Sequence, residues 1–199
     1  AKPGDYEVRV LGAAAPYPTL ARRSIRIGAV AATFEAPEQV SAGAKFQVKW
    51  SGPDNPGDYV GIGNAAKPYV SYVYTNSGNP ASLTAPDEAG EYELRYFLGE
   101  KDTVVGSRRI IVGGVTATVS APAQLAAGAK FAVAWTGPNN ASDFVTLVKA
   151  GTPEKQYDRY AYTSKGSPLQ LTAPDEPGDY ELRYLTAQSY ATLGRATVK

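Results

Sequence analysis

The 199-residue sequence contains no cysteine, no histidine and no methionine. Without Cys or His there is no zinc site of thiolates or imidazoles, no thiol nucleophile and no histidine-based catalytic triad. No apolar run approaches the length of a membrane-spanning helix, and no signal-peptide pattern is present. Charge of one sign is also lacking: 20 Lys and Arg stand against 19 Asp and Glu, for a formal net charge of +1. That balance excludes a polybasic nucleic-acid arm and an acidic solvating tail. What the chain does have is 43% hydrophobic residues, enough to bury a core, together with 20 Gly, 15 Pro and 14 Tyr. Many short strands joined by tight turns have such a composition. It leans against an enzyme, and the missing initiator Met leads us to expect a mature or excised fragment.

The chain repeats itself. Ala44-Lys45-Phe46-Gln47-Val48-Lys49-Trp50-Ser51-Gly52-Pro53 returns 85 residues later as Ala129-Lys130-Phe131-Ala132-Val133-Ala134-Trp135-Thr136-Gly137-Pro138. Leu83-Thr84-Ala85-Pro86-Asp87-Glu88 returns as Leu171-Thr172-Ala173-Pro174-Asp175-Glu176, now 88 residues on. An insertion of three residues between these blocks marks a surface loop. A third copy is present only by its end. Pro3-Gly4-Asp5-Tyr6-Glu7-Val8-Arg9 matches the segments around Tyr92 and Tyr180, and Leu20 to Ile27 parallels Val105 to Val112. The expected organisation is residues 1–29 as the C-terminal hairpin of an incomplete repeat, then complete repeats over 30–113 and 114–199. The chain is thus expected to open partway through a domain, either cut from a longer array or completed by strands of another chain.

The apolar period is two, not 3.6. Phe46, Val48 and Trp50 share one face and Lys45, Gln47 and Lys49 the other; Phe131, Val133 and Trp135 repeat the inward set. Tyr92, Leu94 and Tyr96 alternate with Glu93 and Arg95, as Tyr180, Leu182 and Tyr184 alternate with Glu181 and Arg183. Strands covered on one face and wet on the other belong to antiparallel sheets. In the middle repeat about seven strands are predicted, near 31–35, 45–51, 58–63, 69–75, 80–84, 91–98 and 104–112. This pattern predicts an all-β chain of tandem immunoglobulin-like antiparallel β-sandwiches, each closing over its tryptophan. Gly90-x-Tyr92 and Gly178-x-Tyr180, each after a Pro, have the form of tyrosine corners, in which the hydroxyl bonds backbone upstream. Only Gly113-Gly114 separates the complete repeats, so a rod with limited bending is expected.

A Phe-x-Val-x-Trp-x-Gly-Pro strand, then Asp-Tyr/Phe-Val, a Tyr-x-Tyr-Thr strand and Leu-Thr-Ala-Pro-Asp-Glu-x-Gly-Asp/Glu-Tyr-Glu-Leu-Arg-Tyr make up each complete repeat. The pattern resembles the tandem Ig-like repeats that follow a von Willebrand factor A domain in some exported bacterial proteins. It is similar, more loosely, to SKICH-type sandwich domains. The resemblance implies spacer or interaction modules outside the cytoplasm, with no catalytic site to carry over. The absence of Cys fits such export, and it fits a cytosolic protein equally well.

Four motifs invite a chemical reading. Gly61-Ile62-Gly63-Asn64-Ala65-Ala66 satisfies a dinucleotide fingerprint, but Lys67-Pro68-Tyr69-Val70 follows where the motif needs a helix, and the other repeat lacks both glycines. Asp54, Asn55 and Asp58 could supply three oxygens to calcium, which needs about six; the counterpart Asn139-Asn140-Ser142-Asp143 keeps one carboxylate. Asp87-Glu88 and Asp175-Glu176 read as turns after proline, since adjacent carboxylates point apart on a strand. Arg95 and Arg183 read as solvated partners of Glu93 and Glu181, and Arg22-Arg23 and Arg108-Arg109 as charges that guard a final strand. A net charge of +1 gives no nucleic-acid patch.

Tyrosine is the remaining candidate. Tyr69, Tyr72 and Tyr74 crowd one segment, and Tyr157, Tyr160 and Tyr162 its counterpart. Period two places Tyr72 with Tyr74, and Tyr160 with Tyr162, on one face, and Tyr69 and Tyr157 on the other. Exposed tyrosines can anchor a protein contact or stack on sugars, and buried ones would simply pack across strands. The expectation is therefore a non-catalytic module with no cofactor, metal or catalytic residue, periplasmic or extracellular. Its partners would be other protein domains or its own copies, with glycans as the alternative, and neither nucleic acid nor membrane insertion is expected.

Overall fold

The computed structural model describes residues 3–199, so the first two residues of the expected opening hairpin lie outside it. Strands dominate throughout. A lone hairpin of β1 (Gly4–Leu11) and β2 (Thr19–Ile27) comes first. The middle unit, B, contains β3 (Thr33–Glu35), β4 (Gln39–Ser41), β5 (Lys45–Ser51), β6 (Tyr59–Gly63), β7 (Ser71–Tyr74), β8 (Ala81–Thr84), β9 (Gly90–Leu98) and β10 (Thr103–Gly113). The last unit, C, contains β11 (Thr118–Ser120), β12 (Lys130–Thr136), β13 (Phe144–Lys149), β14 (Arg159–Tyr162), β15 (Leu169–Thr172), β16 (Tyr180–Leu185) and β17 (Thr192–Val198). In B the sheet β3-β5-β8 packs on β4-β10-β9-β6-β7; in C, β11-β12-β15 packs on β14-β13-β16-β17. Both are immunoglobulin-like sandwiches.

One pairing departs from the antiparallel expectation: β4 runs parallel to β10. The opening strand of the unit breaks at Pro37, which has no N–H for a ladder, and its second half crosses to the other sheet. Unit C makes the same crossing after Pro122, where the Leu125 N–H donates to the Lys199 carbonyl at 2.7 Å.

Each unit has its own apolar interior. Phe46, Val48, Val60, Ile62, Leu83, Leu94 and Ile110 cluster in B, and Phe131, Val133, Val145, Leu147, Leu169 and Leu182 in C. The alternation read from β5 and β9 is the alternation observed. The indoles differ from expectation: Trp50 and Trp135 are half-buried, because each sits near the end of its strand at the mouth of the sandwich. There the rings lie 5.6 Å from Tyr96 and 5.7 Å from Tyr184. The Gly after each Trp makes room for that tyrosine, since a Cβ on Gly52 or Gly137 would fall within 3 Å of the ring.

Beneath the indoles lies a buried polar pair. Asp58 accepts from the Tyr96 hydroxyl at 2.9 Å and from the Asn55 and Gly99 N–H groups at 3.0 Å each. Asp143 repeats this with Tyr184 (2.9 Å), Asn140 (3.1 Å) and Ala187 (3.2 Å). The two tyrosine hydroxyls in turn accept from the N–H groups of Asp54 and Asn139. With three donors shared over its two oxygens, a buried carboxylate is tolerable, and the loop before β6 or β13 is fixed to the strand beside it. The acidic loop weighed as a calcium site thus has a structural role. Both tyrosine corners are also present: Tyr92 donates to the Glu88 carbonyl at 3.1 Å and Tyr180 to that of Glu176 at 2.8 Å.

The hairpin pairs in the same register as the ends of both sandwiches. Tyr6 faces Ile25, Tyr92 faces Ile110 and Tyr180 faces Val198, and the single irregularity falls at Val10/Leu11, Tyr96/Phe97 and Tyr184/Leu185, five residues further along each first strand. Its inward set is nevertheless uncovered. Val8 is 53% and Val10 56% exposed, whereas Leu94 and Tyr96 are fully buried.

Burial pushes the Tyr96 hydroxyl up to about 12, with the Asp58 carboxylate adding to the shift, and it pushes Tyr184 upward as well, reinforced by Asp143. In the unfolded chain both would ionise near 10. A folded value above the unfolded one stabilises fully below pH 10, and that stability drains away as pH rises through about 12. Denaturant midpoints of the full chain are expected to fall over that window, less steeply in Tyr96→Phe and Tyr184→Phe. Equal slopes in variants and parent would contradict the assignment.

Candidate functional site

The five residues of β6, and the first five of β13, are all buried, although only one face of each looks into a sandwich. The other face is covered by aromatic rings. In unit B the floor is Tyr59 stacked on Phe97, with centroids 4.6 Å apart and planes at 8°. Tyr69, Tyr72 and Tyr74 stand over it in a chain of edge contacts, 5.1 Å from Tyr69 to Tyr72 and 5.5 Å from Tyr72 to Tyr74. In unit C the floor is Phe144, under Tyr157, Tyr160 and Tyr162, with Tyr190 leaning on Tyr157 at 5.4 Å. The upper tyrosines of both groups remain between 42% and 47% exposed. All six candidate tyrosines therefore lie on outer sheet faces, three to a unit.

This corrects the face assignment made from period two. Tyr69 lies with Tyr72 and Tyr74, and Tyr157 with Tyr160 and Tyr162. β7 starts only at Ser71 and β14 at Arg159, so neither Tyr69 nor Tyr157 belongs to the pleat whose alternation was extrapolated. Both sit on the preceding loop, folded back over the sheet. In B that loop approaches closely because Gly61 has no side chain: a Cβ there would be 3.1 Å from the Tyr69 Cβ. In C the matching residue is Thr146, whose hydroxyl donates to the Arg159 carbonyl and accepts from the Asp158 N–H. The glycine pair that mimicked a nucleotide motif serves this approach. Asn64 ends β6 by accepting from the Ala66 and Lys67 N–H groups in a turn, and no helix follows.

Arg95 and Arg183 are likewise corrected. Both are withdrawn from solvent, the Arg183 side chain to 2% exposure. Arg95 donates to Glu93 at 2.9 Å and to the carbonyls of Asn64 and Pro68. Arg183 donates to Glu181 at 2.8 Å and to the carbonyls of Thr152 and Pro153. The planar guanidinium fork suits this double grip on a carboxylate and on backbone. Each arginine clamps the loop that carries the first tyrosine of its group. Charge alternation on a strand reads as solvated, and nothing local shows that a loop will fold down over it.

The floor and the clamps are thus the residues that sequence reasoning missed: Tyr59, Phe97, Phe144, Tyr190, Arg95 and Arg183. One signal was available. Tyr96-Phe97-Leu98 breaks the alternation, so Phe97 has to be covered from the outer side. Burial, with Asp102 accepting from its hydroxyl at 2.9 Å, pushes Tyr59 upward. At the surface the neighbouring hydroxyl of Tyr72 does the same to Tyr74, and that of Tyr160 to Tyr162. Raised in this way, Tyr59, Tyr74 and Tyr162 stay protonated at physiological pH, in a surface of rings and hydroxyls that is amphipathic. No group of three or more acidic residues that could hold a metal occurs among the described residues.

No known protein family matches the chain, and no curated protein does. Among solved structures, the FN1–FN3 domains of chicken CNTN1 align with 98% of this chain and 76% of theirs, at 12% identity and a TM-score of 0.32. The fibronectin(III)-like modules of Clostridium thermocellum CbhA cover 84% of this chain and 91% of theirs, at 15% identity and a TM-score of 0.34. A C-terminal fragment of intimin, solved with the intimin-binding domain of its translocated receptor, aligns with 86% of this chain and 64% of its own, at 14% identity and 0.30.

Replacing Arg183 by Ala leaves Glu181 and two carbonyls without their buried donor, at a cost of about 3–5 kcal/mol. Amide exchange over residues 150–158 is expected to accelerate, and Arg183→Lys, which keeps the charge without the fork, to recover part of the loss. Unchanged protection of that loop in Arg183→Ala would refute the clamp.

Proposed function

We propose that the chain is a non-catalytic tandem β-sandwich module, of residues 30–113 and 114–199 after the hairpin of residues 1–29, that holds a protein partner through its tyrosine-covered sheet faces. The observation that carries this reading is the duplication of one surface: three half-exposed tyrosines on a buried aromatic floor, clamped by an arginine, built on corresponding strands of both units. Folding alone gains little by leaving six large rings half in water. Tyrosine offers a large, rigid, amphipathic contact at low cost in side-chain entropy, and so it recurs at contact hot spots. A spacer role is compatible, since Gly113-Gly114 leaves little slack between the units.

The geometry favours protein over sugar. The planes of Tyr69 and Tyr72 meet at 69° and those of Tyr72 and Tyr74 at 86°, so neighbouring rings form knobs and clefts instead of a flat stacking platform. The place of action we propose is outside the cytoplasm of a bacterium, periplasmic or at the cell surface, supported by the resemblance to repeats of exported proteins. Among the described residues no helix is long and apolar enough to cross a membrane. Photo-crosslinkers placed at positions 72 and 160 in the producing cell are expected to trap the same protein, and one at position 47 to trap none. Failure to trap from either tyrosine position sinks the reading; a fluorescence shift on titration with soluble polysaccharide would transfer it to glycans.

A second reading, self-assembly, is favoured by the hairpin. Among the described residues, Val8, Val10 and Ile25 present the inward face of a sandwich with no second sheet on it. Pairing two such faces would bury an apolar patch that is otherwise wet. Light scattering at rising concentration is then expected to show dimers that Val8→Lys disperses. A strict monomer throughout leaves this reading without support.

A further inference from the structure

Units B and C touch through one pole of each. On B this pole is formed by the turn between β4 and β5 and the turn between β8 and β9. Asn140 of C donates to the Ala42 carbonyl at 3.0 Å, and Gln188 donates to the Ala85 carbonyl at 2.8 Å. One oxygen of Asp87 accepts from the Thr186 hydroxyl at 2.6 Å and from the N–H and hydroxyl of Ser189 at 2.8 Å each. Val115, just past the Gly-Gly link, packs against the apolar cluster of B. Under this cover Ala42, Gly43 and Pro86 are buried.

Unit C carries the same pole at its far end, residue for residue. Ala127-Gly128 stands for Ala42-Gly43, and Ala173-Pro174-Asp175 for Ala85-Pro86-Asp87. The backbone is also the same. Gly128 has φ +68° against +72° at Gly43, and its N–H donates to the Pro174 carbonyl as that of Gly43 does to Pro86. Here, among the described residues, Ala127, Gly128 and Asp175 are exposed. An apolar cleft of about 410 Å³ opens among Leu125, Leu147, Ala173, Pro174, Tyr180 and Val198, at the place that Val112 takes in B.

We propose that this pole of unit C is a docking socket for a further sandwich unit of C's own kind. The chemistry of the occupied copy defines the occupant. It needs an Asn amide aimed at the Ala127 carbonyl and a Thr-x-x-Ser turn with two hydroxyls and an N–H for Asp175. The free pole of B in a second copy of this chain does not meet that description. Where C has Thr186-Ala187-Gln188-Ser189, B has Leu98-Gly99-Glu100-Lys101, which puts an apolar leucine where Thr186 donates to the carboxylate and an acceptor, Glu100, where the Gln188 amide donates to a carbonyl. Acceptor set against acceptor counts against the wrong partner. The occupant is therefore a unit that bears the C-type turn.

The test extends the full chain by appending a copy of residues 112–199 directly after Lys199, which occupies the position of Ile111 in the strand register. In the natural chain Asp87→Ala is expected to lower the melting temperature, by roughly 4–8 °C for each kcal/mol lost in a domain of this size, and Asp175→Ala to leave it unchanged. In the extended chain Asp175→Ala is expected to lower it as Asp87→Ala does, and small-angle scattering to show the added unit held in one orientation. If Asp175→Ala is as silent in the extended chain as in the natural one, or if the added unit samples many orientations, the socket does not exist. Self-association of the natural chain that Asp175→Ala abolishes would make a second copy the occupant and overturn the assignment.

Discussion

A carboxylate buried against a tyrosine hydroxyl closes one end of each sandwich, and much of the molecule is organised from it. Asp143 binds Tyr184 on β16, the loop that enters β13, and the N–H of Ala187 just past β16. That last bond sets the turn of Thr186 to Ser189, and this turn grips Asp87 of the neighbouring unit. One buried acceptor thereby links a core, a loop and a junction between units. Burying such a group is costly unless all its donors are in place, so it allows few alternative arrangements of the chain around it.

The outer faces follow a second constraint. A middle strand of a two-layer sandwich has one face turned away from the core, and in both units that face is sealed by rings and by a loop. The seal is local to each unit and built from different residues: glycine at 61 where C has threonine, and Phe97 in the floor of B where Tyr190 joins the group in C. What is common is the outcome, a tyrosine surface held by an arginine clamp. Convergence of two non-identical packings on one surface is what the proposed contact role rests on.

The junction and the hairpin show how neighbours decide what a pattern means. Asp87 and Asp175 occupy the same turn in the same backbone, yet one accepts three hydrogen bonds and the other faces water. Likewise Val8 and Leu94 hold the same position in equivalent hairpins, one half in solvent and the other fully buried. Neither contrast has any local cause.

Most strand positions, the inward set of each strand, the two cores, the tyrosine corners and the lack of a helix after Gly63 were legible in the sequence. They rest on interactions between residues near in the chain and on a side-chain period of two, which the pleat imposes wherever a strand forms. The second half of each opening strand, the depth of the indoles, the burial of Arg95 and Arg183 and the face taken by Tyr69 and Tyr157 were not. Each depends on where a loop or a neighbouring unit comes to rest, at contacts tens of residues apart. Alternation states which side of a strand a residue occupies; only the tertiary structure decides what, if anything, covers that side.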